Sequence, residues 1–381
     1  MPVTTTYVQQ ADGAETAARP GKPGRITSLD WVRGWFLCGS VATASVLAPR
    51  PEQLVHATWT GVRLEDLVFP LFVTLSGAGL AFAYRNAVGW RATLRRSAIL
   101  LLSGLVYNAV AGQSWDPATL RLTGTLQLYA VLVLVIGALH LVARGPRAWL
   151  ALTALLVLAQ GGFLYLWQQS CPGGELTPGC NPSAVIDTAL LGTAHMYAGG
   201  ALGHDPEGVV GILGACVTAS AGAAAGHLAL SARGTRRGPS YLLGWAVVLM
   251  AAAALAAQLL PVMKRLWTTP FALGAGGLGI VLLALGMAVL DLPAGPRWTA
   301  VRERLAWPQV ALGRNSLLVY FGSHLLMDVL SAHGGDPSWA QSLAASVAVG
   351  GMPRVGLVLA MVLGWAMVAA VLHRHRVYLR P

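Results

Sequence analysis

Charged side chains are scarce in this sequence: Asp, Glu, Lys and Arg make up 11% of its 381 residues, against 55% hydrophobic residues. With a mean hydropathy of +0.60, that shortage excludes ordinary soluble domains, whose surfaces need far more charge. Acidic groups are rarer than basic ones, 15 against 26, for a formal net charge of +11. Nucleic-acid binding would need those cations gathered on one soluble face, and here they punctuate apolar runs instead. Cysteine is also sparse. Cys38 and Cys216 fall inside apolar runs and read as packing residues, whereas Cys171 and Cys180 flank a Pro/Gly-rich loop. Two cysteines at that spacing, without a histidine pair nearby, exclude a zinc site, and no metal is expected. They form a disulfide if the loop faces an oxidising compartment and stay free thiols otherwise. Lysine and arginine are missing altogether from residues 168–206, and no internal repeat of the transporter kind is visible.

What is present is a succession of apolar runs, each near the ~20 residues a helix needs to cross a bilayer. They cover about 29–48, 64–84, 93–111, 124–142, 149–167, 208–230, 241–260, 269–290, 310–330 and 355–372. The expected fold is all-α, a polytopic membrane protein with about ten transmembrane helices. Residues 1–24 are polar, with no apolar run, and read as a disordered tail and not as a cleaved signal peptide. Alternating polar and apolar residues over 184–197 predict a short helix at the interface. The segment 341–351 is too short and Gly-rich to span by itself. Pro70 predicts a kink near the start of the second run, and Ser76, Gly77 and Gly79 leave room there for another helix or a slender ligand.

The basic residues orient the chain. Groups such as Arg85, Arg91, Arg95 and Arg96, then Arg144 and Arg147, then Arg233, Arg236 and Arg237, fall in alternate connections. The positive-inside rule then puts both termini in the cytoplasm and the 49–63 and 168–206 connections on the external side.

The most polar hairpin between two spans is His56-Ala57-Thr58-Trp59-Thr60-Gly61, followed by Asp66-Leu67-Val68-Phe69-Pro70. It combines a proton acceptor that works near neutrality, an aromatic wall, a flexible turn and a carboxylate ten positions on. Further groups follow in order: Ser28-Leu29-Asp30 with Arg33-Gly34, Gly124-x-Leu126-Gln127, Ile186-Asp187, His195-x-Tyr197, Asp205-Pro206-Glu207-Gly208, Pro261 with Lys264-x-Leu266-Trp267-Thr268, and Asn315-Ser316 before Val319-Tyr320. Taken together, roughly over residues 25–325, these motifs resemble the catalytic domain of the heparan-alpha-glucosaminide N-acetyltransferase family, membrane enzymes that move an acetyl group from acetyl-CoA to an amino sugar. Colinearity carries the resemblance, since each short match alone is weak.

The resemblance implies a transmembrane acyltransferase domain over 25–376, with 1–24 as a disordered cytoplasmic tail and 377–381 as a cytoplasmic end. Acetyl-CoA, the acyl donor, would enter from the cytoplasm, and an amine or hydroxyl acceptor, an amino sugar by the family's precedent, would arrive from outside. His56 matches the active-site histidine, as general base or as acyl carrier, and Asp66 would orient it or cap a helix. Arg33, Arg314, Gln127 and Asn315 are candidates for the CoA side, with the 91–96 turn, because guanidinium forks suit phosphate. Trp59, Lys264, Trp267, Asp187 and His195 are candidates for the acceptor side, with Asp205 and Glu207 on an acidic rim. The family's polar asparagine falls at Ala44, where Thr43 or Ser45 would have to substitute, and Leu128 stands where the family has arginine. Membrane lipids surround such a protein, and a homodimer is one form it would take. Ala, Gly and Arg usage points to a GC-rich bacterial genome, so the membrane would be the plasma membrane. The competing reading is a proton-coupled transporter or flippase on the same helices, with His56 and Asp66 relaying protons.

Overall fold

The computed structural model describes residues 26–378; the predicted tail at 1–24 lies outside them. Thirteen α-helices follow one another: α1 (Thr27–Ala44), α2 (Leu64–Ala83), α3 (Trp90–Ala111), α4 (Thr125–Val142), α5 (Pro146–Ser170), α6 (Pro182–Leu191), α7 (Val209–Ser231), α8 (Arg237–Ala256), α9 (Thr269–Leu290), α10 (Pro296–Arg314), α11 (Ser316–Ala332), α12 (Trp339–Ser346) and α13 (Pro353–Arg374). Among the described residues there is no strand, only isolated bridges.

Seven of these helices, α2, α4, α5, α7, α8, α9 and α13, are long and apolar enough to cross a membrane. The chain is thus an all-helical, multi-pass membrane protein. The expected count of about ten also took in α1, α3 and the 310–330 run, which fall short of that standard. α1 carries Asp30 and Arg33, and α3 carries Arg91, Arg95 and Arg96. The 310–330 run is not one helix: α10 ends at Arg314, Asn315 leaves helical geometry at φ −108°, ψ 29°, and α11 restarts with 17 residues. The polar pair Arg314-Asn315 marks the break: Arg314 pairs with Asp30 on α1, and the Asn315 amide donates back to the Ala311 carbonyl of α10.

Helix α7 is the hub, with 83% of its apolar window buried inside the protein. Its small residues explain this. Gly222 and Gly226 lie against the backbone of Thr74 and Ala78 on α2, and Gly77 of α2 lies against the Ala219 carbonyl. Close approach of this kind is how helices gain dispersion energy where lipid removes the hydrophobic drive. Gly79 meets the Arg33 side chain instead. α2 runs unbroken through Pro70. Helices α5, α8 and α13 are peripheral, with large exposed leucines such as Leu155, Leu158 and Leu166 on α5.

The connections 45–63, 112–124, 171–208 and 257–268 meet at one end. Gly61 N–H donates to the Val262 carbonyl, Trp59 Nε1–H to the Leu176 carbonyl, and Leu122 N–H to the His195 carbonyl. Cys171 and Cys180 form a disulfide in this cap, while Cys38 and Cys216 remain free. The short helix predicted over 184–197 is α6 plus 3-10 turns, stopped by Gly192 at φ 76°.

Candidate functional site

His56 leaves the bundle on the connection between α1 and α2, and Asp66 lies in the first turn of α2. Asp66 Oδ1 is 2.8 Å from His56 Nδ1, while its Oδ2 accepts the backbone N–H groups of Ala57 at 3.1 Å and Arg63 at 3.0 Å. The carboxylate therefore caps the helix and holds the imidazole at once. A carboxylate only accepts, so Nδ1 carries a proton, and in the neutral ring Nε2 is the nitrogen left with a lone pair.

Lys264 supplies the next layer from the loop between α8 and α9. Its Nζ lies 3.4 Å from His56 Nε2, a long contact, and the residue is only 7% exposed. Burial lowers the Lys264 ammonium below the ordinary lysine range, and Glu207 and Asp66 oppose that only in part. Arg265 Nε–H donates to the Ala57 carbonyl at 3.0 Å, tying the two loops together beside the histidine.

A third layer is ionic. Arg121 reaches Asp205 at 3.2 Å and Glu207 at 2.8 Å, and its guanidinium sits 4.7 Å over the Tyr197 ring. Asp205 also accepts from Thr123 Oγ1, Tyr197 N–H and Glu207 N–H. Burial alone would raise the Glu207 carboxyl, but Arg121 and Lys264 outweigh it and hold it below the usual range.

These groups open on a cavity of about 340 Å³. At one end it is lined by His56, Glu65, Arg121, Glu207, Lys264 and Arg265, along its walls by Phe69, Phe72, Tyr129 and Tyr320, and at the far end by Ser76, Arg33 and Arg96. From Glu65 to Ser76 along α2 is about 16 Å at 1.5 Å per residue. Arg33 donates to the Leu75 carbonyl at 3.0 Å, and the Arg96 Nε is buried without a hydrogen-bond partner.

The residues singled out from sequence divide into two sets. His56, Lys264 and Arg33 line the cavity, with Asp66 directly behind His56. Arg96 of the 91–96 turn and Glu207 of the acidic rim line it too, and the remaining candidates lie elsewhere. Arg314 is bound to Asp30 at 3.4 Å and to the Tyr378 hydroxyl at 3.2 Å. Asn315 is fully buried and donates to the Ala311 carbonyl, with its neighbours Ser316 and Leu317 on the wall. Gln127 is buried against Gly104 and Gly124. Trp267 is wholly buried and donates to Thr218 Oγ1 at 3.0 Å, and Trp59 stands edge-on to His204. Asp187 is wholly buried, accepting from Ser183 Oγ and from the Val210 N–H at the start of α7. His195 is bound to the Leu120 carbonyl at 2.8 Å.

Ala44 does not face the cavity, and both hydroxyls beside it bond back to α1, Thr43 to the Ser40 carbonyl and Ser45 to the Val41 carbonyl. The α1 hydroxyl on the cavity wall is Ser40, one turn earlier. Leu128 is core, 1% exposed. Sequence reasoning passed over Arg265, Glu65, Tyr107 and His324, all on the wall. One signal was available for His324: an ionisable side chain inside an apolar run is a functional candidate by default.

Residues 25–170 of the chain match the family model described as heparan-alpha-glucosaminide N-acetyltransferase, catalytic. The human heparan-alpha-glucosaminide N-acetyltransferase is 26% identical over 365 residues, covering 79% of this chain and 53% of that protein. The mouse protein of the same name is 24% identical over 332 residues, covering 71% and 49%. The chain thus spans about half the length of the curated relatives it matches. The similarity read from the motifs is to the same family, and the matched region contains His56 and Asp66.

Proposed function

We propose that this protein is a transmembrane acyltransferase that moves an acetyl or other small acyl group from cytoplasmic acyl-CoA to an amine or hydroxyl acceptor at the external face. The observation that carries the reading is the placement of His56, backed by Asp66, at one end of a single cavity whose other end holds Arg33 and Arg96. The similarity to named acetyltransferases points the same way.

In this reading Arg33 and Arg96 hold phosphate charge at the arginine-rich end, where a guanidinium fork suits phosphate oxygens. The thioester then lies along the aromatic walls toward His56. The lone pair on His56 Nε2 takes a proton from the attacking acceptor, Asp66 stabilises the resulting imidazolium, and the same proton goes to the departing thiolate. The Lys264 ammonium, beside Nε2, is positioned to stabilise charge developing on the carbonyl oxygen. Orientation rests on the basic connections at the far end and on the Cys171–Cys180 disulfide in the His56 cap, since disulfides persist on the oxidising side.

The test is incubation of the purified protein with radiolabelled acetyl-CoA and an amine or alcohol acceptor, wild type beside His56→Ala. Acyl transfer that vanishes in the variant supports the enzyme; turnover unaffected by the substitution sinks it. Proton-coupled uptake into vesicles without thioester cleavage would support the transporter instead. A membrane-impermeant thiol reagent on a Thr58→Cys variant decides which side the hairpin faces.

A further inference from the structure

Beside Asp66 in the first turn of α2 stands a second carboxylate with a different environment. Glu65 lines the cavity at the level of His56, and its Oε2 is buried with no hydrogen-bond partner. Asp66, by contrast, is saturated by three donors. A first-turn glutamate ordinarily serves the helix dipole from solvent. A glutamate on a cavity wall with one oxygen buried and unpaired, and the Lys264 cation close enough to interact with it, gains from a further donor reaching its carboxylate from the cavity. Other polar groups facing the same space are His56, Arg121, Glu207, Lys264, Arg265 and Tyr320. Arg121 and Glu207 are already paired with each other, Arg265 is tied to Ala57, and Lys264 contacts His56 and lies within electrostatic reach of Glu65 without donating a hydrogen bond to its Oε2.

Proton accounting indicates what that donor is. An alcohol that attacks a thioester loses one proton, which ends on the thiol, and His56 alone can carry it. A primary amine reaches the cavity as an ammonium ion and loses two protons on the way to an amide. One again ends on the thiol; the other is surplus and must leave. Once both members are taken out of water, an ammonium–carboxylate pair is biased toward proton transfer within the pair, because each charged form loses hydration.

We propose, building on the acyltransferase reading, that Glu65 receives the acceptor's ammonium group and takes its surplus proton, so that the site selects a charged primary amine over an alcohol. The C–S bond breaks as the C–N bond forms. His56 passes one proton to sulfur, and Glu65 releases the other toward the His56-end mouth.

The test compares wild type, Glu65→Gln and Glu65→Asp in detergent with acetyl-CoA and two probe nucleophiles: glucosamine, largely protonated at pH 6.5, and hydroxylamine, largely uncharged at neutral pH. In Glu65→Gln, kcat/KM for glucosamine falls about 10- to 100-fold relative to hydroxylamine at pH 6.5, the size expected when a charge-assisted contact is lost. The deficit shrinks at pH 9, where the amine is already neutral, and Glu65→Asp recovers part of it. An equal loss with both nucleophiles, or none with either, overturns the assignment. Glucosamine binding, measured by calorimetry without donor, separates this from the acyltransferase reading. Weaker binding by Glu65→Gln upholds Glu65 even in a protein that transfers no acetyl group, and unchanged binding overturns it even in one that does.

Discussion

Asp66 and His56, ten residues apart in sequence, meet at 2.8 Å because the carboxylate that closes the first turn of α2 also accepts the imidazole Nδ1–H. Its other oxygen takes two backbone N–H groups, so the hairpin cannot move without breaking the helix cap. Preorganisation of the base and the start of a membrane helix are one structural device.

Asp66→Asn should therefore lower acyl transfer by about 10²-fold or more, because an amide can present its N–H to Nδ1 and favour the wrong tautomer. The same change weakens two backbone contacts and costs about 1–3 kcal/mol of stability. Transfer rate and melting temperature measured together check this; a variant that melts lower but transfers at the wild-type rate contradicts the orienting role.

Lys264 should set the alkaline side of the pH profile. Its ammonium is lost below the ordinary lysine range because it is buried, so activity that needs the charge declines as pH rises through that lowered value. Arginine stays charged throughout. Lys264→Arg should extend activity to higher pH even with a lower maximum, and Lys264→Met should abolish the charge-dependent limb. Identical profiles in all three proteins would remove Lys264 from the mechanism.

Acid should loosen the loops around His56 before the bundle. Arg121 and Lys264 outweigh burial and hold the Glu207 carboxyl below its usual range. A carboxylate with a lowered folded-state pKa contributes stability that is complete above the unfolded value, about 4.3, and is lost as pH falls through the folded value. Proteolytic resistance of the 171–208 connection should hold from neutrality to about pH 5 and fall below about pH 4. In Glu207→Gln that acid step should be missing.

Gly77 and Gly222 set how closely α2 approaches α7. A Cβ at Gly77 would run into the Ala219 carbonyl, and one at Gly222 into the Thr74 carbonyl. Alanine at either position should destabilise by about 1–3 kcal/mol through forced separation of the helices. Thermal melting in detergent checks it, with Gly162→Ala as control, since nothing lies within 4 Å of a Cβ built there.

The helical, multi-pass character was legible in sequence because hydropathy and length are local properties, and the ends of α2, α4 and α9 fall within a residue of the apolar runs. The hairpin was legible because His56, on the connection, and Asp66, in the first turn of α2, are only ten residues apart. Partners distant in the chain were harder to assign. Lys264 was noticed through its motif, but Asp187, Trp267 and Arg314, drawn from equally good motifs, turn out to be bound into a helix start, a buried aromatic contact and an ion pair with Asp30.

By itself, then, the sequence determined a membrane-embedded helical chain with a histidine between its first two helices and a carboxylate at the start of the second, because those features depend on composition and on neighbours in the chain. Only the tertiary structure decided which polar groups share a cavity. It brings Lys264 to His56 across 208 positions and puts Glu65, not its neighbour Asp66, on the cavity wall. Adjacent residues on a helix point about 100° apart, so which one faces the cavity depends on how α2 is rotated against α7, and that rotation is set by packing between helices far apart in the chain.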